Sequence, residues 1–422
     1  MKKLTMKPYD SRFVPPSCRR RGFSLVEIMV ALLIGLVLLT GIVEIYIGSK
    51  QSYRLQDQAA RMQEGARFAL DSLNREARMA GFYGCSIYSE KDNNYSDCNN
   101  PPLMRPTRLL NVLNNRCDLA YDFRFKMQGF EANSTHPGQT YAITAVNPAP
   151  ASSGTGWTPN LVSTNPKIDD KVIAGSDVLV IRAPIAASRS ALSTSTATTL
   201  QVGAGDATIA VGDLLIAANC ARARLFQATT AVTTIAAGSV PHGTSGTPGN
   251  ACTTWGVLAV GSAPVASAYN EDCSSEKLSL FDGSNGGVEI IPVATILYYV
   301  GRRDPTTTDP SPGPSLYRKV GTDSAQELVE GVENMQVLYG VRLANNNLAY
   351  LPADSVINWT QVVSLRIGLL LRTLDDNLTT TADNQSYNAN GADVLGTMVK
   401  PVSDRRLRRV ISTTISIRNT AI

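Results

Sequence analysis

Residues 21–46 read RGFSLVEIMVALLIGLVLLTGIVEIY. From Ile28 to Val43 sixteen residues carry no charge. Counted from Phe23, the apolar stretch reaches about twenty residues, enough to cross a bilayer as a helix. Arg19, Arg20 and Arg21 stand directly before it, which holds the start of the chain on the cytoplasmic side and sends everything after Tyr46 outward. A cleaved secretory signal fits poorly, because the apolar core runs into Glu44, Ile45 and Tyr46 with no small-residue cleavage site and because Glu27 lies inside it. Glu27 also separates this segment from a plain single-span anchor. A carboxylate in hydrocarbon costs roughly 2.5 to 3.5 kcal/mol, whereas a first-turn acid gains only about 0.3 to 1 kcal/mol from the helix dipole. Such an acid calls for a partner of opposite charge, since each charge relieves the other's desolvation.

The helical period continues beyond the apolar run. Leu55, Ala59, Met62, Ala66, Leu70, Leu73, Ala77 and Ala80 follow at steps of three and four as one apolar stripe, with Arg54, Asp57, Arg61, Glu64, Arg67, Asp71 and Arg75 on the other side. Asp57 with Arg61 and Asp71 with Arg75 add acid-before-base pairs one turn apart, and Gly81 supplies a stop. The pattern predicts one helix from Phe23 to about Ala80, near 85 Å long at about 1.5 Å per residue, its lower half packed on a globular domain. No proline falls between Pro16 and Pro101, so any loosening is left to Gly35, Gly41 and Gly48.

Past Phe82 the composition turns to Thr, Ser, Val and Ala punctuated by Gly and Pro, which predicts strands. Val363, Leu365, Ile367, Leu369 and Leu371 alternate with Ser364, Arg366, Gly368 and Arg372; Ile411, Ile415 and Ile417 alternate with Ser412, Thr414, Ser416 and Arg418. Both read as half-buried antiparallel strands. Further strands are expected at 177–182, 213–217, 288–300, 316–320 and 335–343. Ser324 and Glu327 have capping-box spacing before a short helix expected at 327–334. Residues 147–159, 237–250 and 302–315 read as loops. About 340 residues exceed the usual size of one core, so two lobes are expected.

Gly22, Phe23, Ser24, Leu25, Val26 and Glu27 resemble the type III signal of type IV pilins and type II secretion pseudopilins. The resemblance implies that prepilin peptidase cuts after Gly22, that Phe23 becomes the N-methylated terminus, and that Glu27 meets the terminal amine of a neighbouring subunit. A later start at Met6 would leave this junction unchanged. Four blocks narrow the resemblance: RFALDSLNREARMAGFYGC (67–85), CARARLFQAT (220–229), ELVEGVENMQVLYGV (327–341) and RRLRRVISTTISIRN (405–419) are similar to the PilW family of J-type minor pilins, while 92–175 has no counterpart. The implied fold is α+β and pilin-like: a long N-terminal transmembrane and amphipathic helix packed on antiparallel β-sheets of an enlarged globular domain. The implied organisation is a leader at 1–22, a transmembrane half-helix at 23–46, an amphipathic half at 47–81, and a periplasmic or extracellular β-rich domain at 82–422.

The implied function is structural: a minor pilin that primes pilus assembly and sits in a tip complex below another subunit. Its partners would be other minor pilins, the major pilin, a PilY-type tip adhesin, prepilin peptidase and, before assembly, inner-membrane lipid. The chain would lie in the inner membrane with its globular domain in the periplasm, then at the pilus tip. Alternatives of the same architecture are a J-type pseudopilin of a type II secretion system and a DNA-uptake or adhesive minor pilin.

Removing a leader rich in Lys and Arg takes the net charge from +4 to −2, since residues 1–22 hold seven basic side chains against Asp10. Nucleic-acid binding thereby loses its compositional support. Cys85, Cys98, Cys117, Cys220, Cys252 and Cys273 remain, an even number in an oxidising compartment, and are candidates for disulfides of open connectivity. No CxxC or Cys/His cluster points to a metal, and no cofactor is expected.

A catalytic reading finds little. The two histidines, His136 and His242, lie among Gly, Pro, Ser and Thr, and the run from His242 to Gly246 lacks the strand-turn-helix context of a nucleophile elbow, so it reads as a polar surface loop. Asp169, Asp170, Asp304 and Asp309 lack calcium-loop spacing and read as solvated turn acids. Lys400, Arg405, Arg406, Arg408 and Arg409 form a basic cluster before the last strand, read either as a docking edge for an acidic partner or headgroups or as charge guarding that edge.

Overall fold

The computed structural model describes residues 22–84, 109–115, 118–151, 154–161, 168, 171–192, 199–203, 209–218, 223–229, 238–250, 288–302, 313–391 and 396–419. The chain forms two compact units, Met1–Gln56 and Asp57–Ile422. One 55-residue helix, Leu25–Met79, begins in the first and ends in the second. Up to Tyr53 its large apolar side chains, Leu32, Leu36 and Leu39 among them, are exposed, and the segment is long and apolar enough to cross a membrane. Even the Thr40 hydroxyl is satisfied inside the helix, donating to the Leu36 carbonyl at 2.9 Å.

From Asp57 onward the helix packs on antiparallel sheets. Met62, Ala66, Leu73 and Ala77 of the predicted stripe are buried, and Gln58, Ala69, Ser72 and Glu76 are buried with them. Asp57 pairs with Arg61 at 3.1 Å as expected, whereas Asp71 sits 3.8 Å from Arg67 rather than reaching forward. Gly81 ends the helix at φ +70°, where its N–H reaches the Arg182 carbonyl at 2.9 Å and a Cβ would lie 2.8 Å from Lys126 Cβ. Only glycine meets both demands without strain.

The larger sheet runs in the order Leu109–Asn111, Ala223–Gln227, Leu214–Ala218, Glu289–Arg302, Val178–Pro184, Met127–Ala132, Trp157–Thr158, with Pro314–Val320 and Gln326–Glu330 branching from Glu289–Arg302. Its first pair is parallel; the pairs around Glu289–Arg302 are antiparallel. A second sheet orders Leu348–Leu351, Val332–Arg342, Val362–Arg372 and Arg408–Ser416, all antiparallel. One hydrophobic cluster joins helix residues Met62 to Ala80 with Ile296 and Tyr298 of the larger sheet and Val337, Leu365 and Ile415 of the second. All five strands expected outside the C-terminal pair are present within a few residues of their expected bounds.

Three expectations are corrected. The helix at 327–334 is instead the strand Gln326–Glu330, a turn at Gly331 (φ +78°) and the start of Val332–Arg342. The Glu327 carboxylate that a capping box needs is taken by the Ser315 hydroxyl at 2.7 Å, and Val329 is buried opposite Leu316, so sheet pairing outweighs the local signal. The Val362–Arg372 strand is buried on both faces. A small sheet of Tyr387–Asn388, Met398–Lys400 and Thr140–Ala142 brings Ala389 and Val399 onto Leu370, and a Cβ on Gly368 would fall 1.6 Å from the Ala389 carbonyl oxygen. The loops at 147–159 and 237–250 contain short strands, Trp157–Thr158 and Ser239–Pro241, with Trp157 fully buried. The described part of 302–315 is confined to its ends.

Candidate assembly site

Gly22, Phe23 and Ser24 stand in non-helical backbone ahead of the helix, whose N-terminal turn includes a bond from Ile28 N–H to the Ser24 carbonyl at 3.2 Å. Gly22 has open space where a side chain would sit, and Phe23 is 78% exposed. An accessible, non-helical peptide is the form a protease active site accepts. Glu27 occupies the first helical turn, exposed on an apolar surface, with no ion-pair partner among the described residues.

Within the second unit a polar group fastens the helix to the larger sheet. Glu76, 7% exposed, accepts from the Tyr298 hydroxyl at 2.6 Å and from Arg318 Nε and Nη2 at 2.9 and 2.6 Å. Ser72 Oγ lies 3.0 Å from the same Tyr298 hydroxyl. Burial raises the Tyr298 pKa and the Glu76 charge raises it further, so the phenol stays protonated as a donor. Burial opposes the Arg318 charge, but its bonds to Glu76 outweigh that and its pKa is raised. Glu76 was legible only as one step off the apolar stripe, between Leu73 and Ala77.

The basic cluster before the last strand is corrected. Arg406 and Arg408 are buried and consumed by acids: Arg408 binds Glu333 Oε2 at 2.8 Å, Asp404 Oδ1 at 2.6 Å and Asp383 Oδ2 at 3.2 Å, while Arg406 binds Asp404 Oδ2 at 3.2 Å. Arg372 Nη1 completes the group at 3.2 Å from Glu333. Burial opposes the Asp404 charge, yet Arg408 and Arg406 hold its pKa below the usual value. Lys400, Arg405 and Arg409 stay on the surface.

A seam joins the two larger sheets at Asp177, whose carboxylate accepts Ala132 N–H at 3.0 Å and Val337 N–H at 2.8 Å. Glu131 lies in the same neighbourhood, accepting Ala353 N–H at 3.2 Å. Burial, then the Asp177 charge, pushes the Glu131 pKa far up, and burial also raises Asp177. Glu131 is therefore the protonated member at neutral pH, since Asp177 has two N–H donors stabilising its charge. His136 Nε2 bonds Asp354 at the edge of this seam. His242 is another correction: it is fully buried, edge-on to Phe226 at 6.0 Å, and burial lowers its pKa to about 4. Ser245 is exposed and its hydroxyl donates to the Thr229 carbonyl.

Cys85, Cys98, Cys117, Cys220, Cys252 and Cys273 lie outside the described residues, as do Asp169, Asp170, Asp304 and Asp309. Among the described residues no group of three or more His, Cys, Asp and Glu side chains is placed to hold a metal ion.

An exposed apolar helix opening on a Gly-Phe junction, with an acid in its first turn and antiparallel sheets packed on its later turns, defines a prepilin-type subunit. Residues 17–43 match the prokaryotic N-terminal methylation motif, and residues 297–419 match PilW, described as Type IV Pilus-assembly protein W. The C-terminal part of the chain thus carries the PilW family region of type IV pilus assembly proteins, and its N-terminal part carries a prepilin methylation motif. The two matches connect the chain to type IV pilus assembly and to prepilins. The blocks at 67–85 and 220–229 fall outside the matched residues. No curated protein matches the chain, and no solved structure matches it.

Proposed function

We propose that this minor pilin primes assembly from the inner membrane and then holds a place at the filament tip beneath another subunit, as a structural part without catalysis. The carrying observation is Glu27, an acid exposed on the membrane-length apolar part of the helix within the methylation motif. Left alone in hydrocarbon it costs roughly 2.5 to 3.5 kcal/mol, and a positive terminal amine on a neighbouring subunit removes that cost. A cut after Gly22 supplies an amine at Phe23 of this chain, and the corresponding cut supplies one on each processed neighbour, which N-methylation leaves positively charged. A subunit keeping its acid is suited to lie below another. Partners on this reading are other minor pilins, the major pilin, a PilY-type adhesin and prepilin peptidase. The six mature cysteines pair with one another in the oxidising periplasm.

The test is intact mass of the membrane-extracted protein with and without prepilin peptidase, followed by pull-down of its neighbours. A mass beginning at N-methylated Phe23, with other minor pilins attached, is expected. Glu27→Ala is expected to lower piliation and lose the neighbours while leaving the cut in place. Normal piliation with neighbours still bound in that variant would overturn the reading.

A further inference from the structure

The second sheet ends on Arg408–Ser416, nine residues paired to Val362–Arg372 at nine successive positions without a bulge. No strand lies on its other side among the described residues. Every other sheet end among them is five residues or shorter. An edge strand carries a row of backbone N–H and C=O groups turned away from its neighbour, and proteins ordinarily blunt such rows by shortness, proline, bulges or charged side chains. This edge has none of the first three, and its exposed charges, Arg409 and Arg418, stand at its ends and not along its middle. Ser412, Thr414 and Ser416 are exposed on one face of this strand, and a further strand would pair in the sheet plane at about 4.8 Å.

Charge says what kind of chain fits. The acids near this edge, Asp404, Asp383 and Glu333, are paired with Arg406, Arg408 and Arg372, and the half-exposed Asp376 lies 3.5 Å from Arg406 and accepts the Arg405 backbone N–H at 2.9 Å. Arg405 and Arg409 at one end and Arg418 at the other are exposed and make no ion pair among the described residues. The geometry points to strand addition at Arg408–Ser416: an extended segment of another protein subunit, about nine residues long and acidic towards its ends, pairs along this edge as a fifth strand. Backbone bonds supply the affinity and the end arginines select the partner. The inference stands apart from the position at the tip and needs neither the cut at Gly22 nor Glu27.

The test uses the full chain in a mild detergent. The probe is a labelled, capped nine-residue peptide with two glutamates at each end and alternating valine and threonine between them. Its controls are the lysine-for-glutamate counterpart and a version with a central proline. Fluorescence anisotropy at low salt is expected to show binding of the acidic peptide alone, with at least tenfold slower amide exchange over 408–416. Arg409→Glu/Arg418→Glu, a surface change that leaves the circular dichroism spectrum unaltered, is expected to weaken binding at least tenfold. Equal binding of the lysine peptide, absence of binding, or unchanged exchange at 408–416 would each overturn the proposal. So would protection of the same amides by anionic vesicles alone, which would assign the edge to headgroups. Self-association without peptide that Arg409→Glu/Arg418→Glu abolishes would overturn it too, by giving the edge to a second copy.

Discussion

Replacing Glu76 by alanine removes the acceptor for three donors at once, the Tyr298 hydroxyl and two nitrogens of Arg318. Breaking a buried pair costs about 3 to 5 kcal/mol, because the remaining charge is left uncompensated. The Arg318 side chain keeps 21% exposure, so water takes up part of the loss and the lower end, about 3 kcal/mol, applies. Tyr298→Phe loses one bond to a charged group and is expected to cost about 1.5 kcal/mol. The assay is urea unfolding of the detergent-solubilised full chain, followed by tryptophan fluorescence. Trp157, fully buried, and Trp359, packed on Tyr339 at 4.7 Å, report from the same unit. A double-mutant cycle between Glu76 and Arg318 isolates their coupling, expected at about 1 to 3 kcal/mol. The apolar replacement Glu76→Leu/Tyr298→Phe/Arg318→Met is expected to regain most of the loss, as buried ion groups often tolerate such exchange. A cost below about 1 kcal/mol for Glu76→Ala, together with coupling near zero, would refute the reasoning that this group fastens the helix to the sheet.

Three more outcomes follow from the buried groups. His242 has a folded pKa of about 4 against about 6.5 unfolded, so the unfolded chain binds more protons between those values and stability falls as pH drops through them. At pH 5 the loss is about 2 kcal/mol, read as the difference in urea midpoint between pH 7.5 and 5 that His242→Gln reduces. Glu131→Gln is expected to cost under about 1 kcal/mol, since the native carboxyl is already neutral, whereas Asp177→Ala strands two buried N–H groups and costs about 3 kcal/mol in the same assay. Gly368→Ala drives a methyl into the Ala389 carbonyl and is expected to cost at least about 3 kcal/mol, seen as loss of soluble chain or a much lower melting temperature.

The helix and the strands were legible because their signals are local. Sixteen uncharged residues, a stripe at steps of three and four, and alternation in the last strands each need only a short window of sequence. Alternation around Ile415 proved right because Arg408–Ser416 is an edge with one open face, and wrong around Leu369 because Tyr387–Asn388 and its neighbours cover the second face. The 327–334 helix failed for a related reason: a capping box competes with a strand partner, Pro314–Val320, that only folding brings alongside. The basic cluster misled because two of the acids that take up Arg408, Glu333 and Asp383, are distant in sequence, and only Asp404 lies nearby.

Sequence alone determined the membrane-length helix and the acid, Glu27, in its first turn, since hydrophobicity, helix period and the cost of a charge in hydrocarbon act on neighbouring residues. Tertiary structure decided which polar side chains the globular part buries and which it shows. Glu76, Asp177 and His242 went inside and Arg409 stayed outside because desolvation depends on partners contributed by distant strands, and no local spacing encodes where those partners will be.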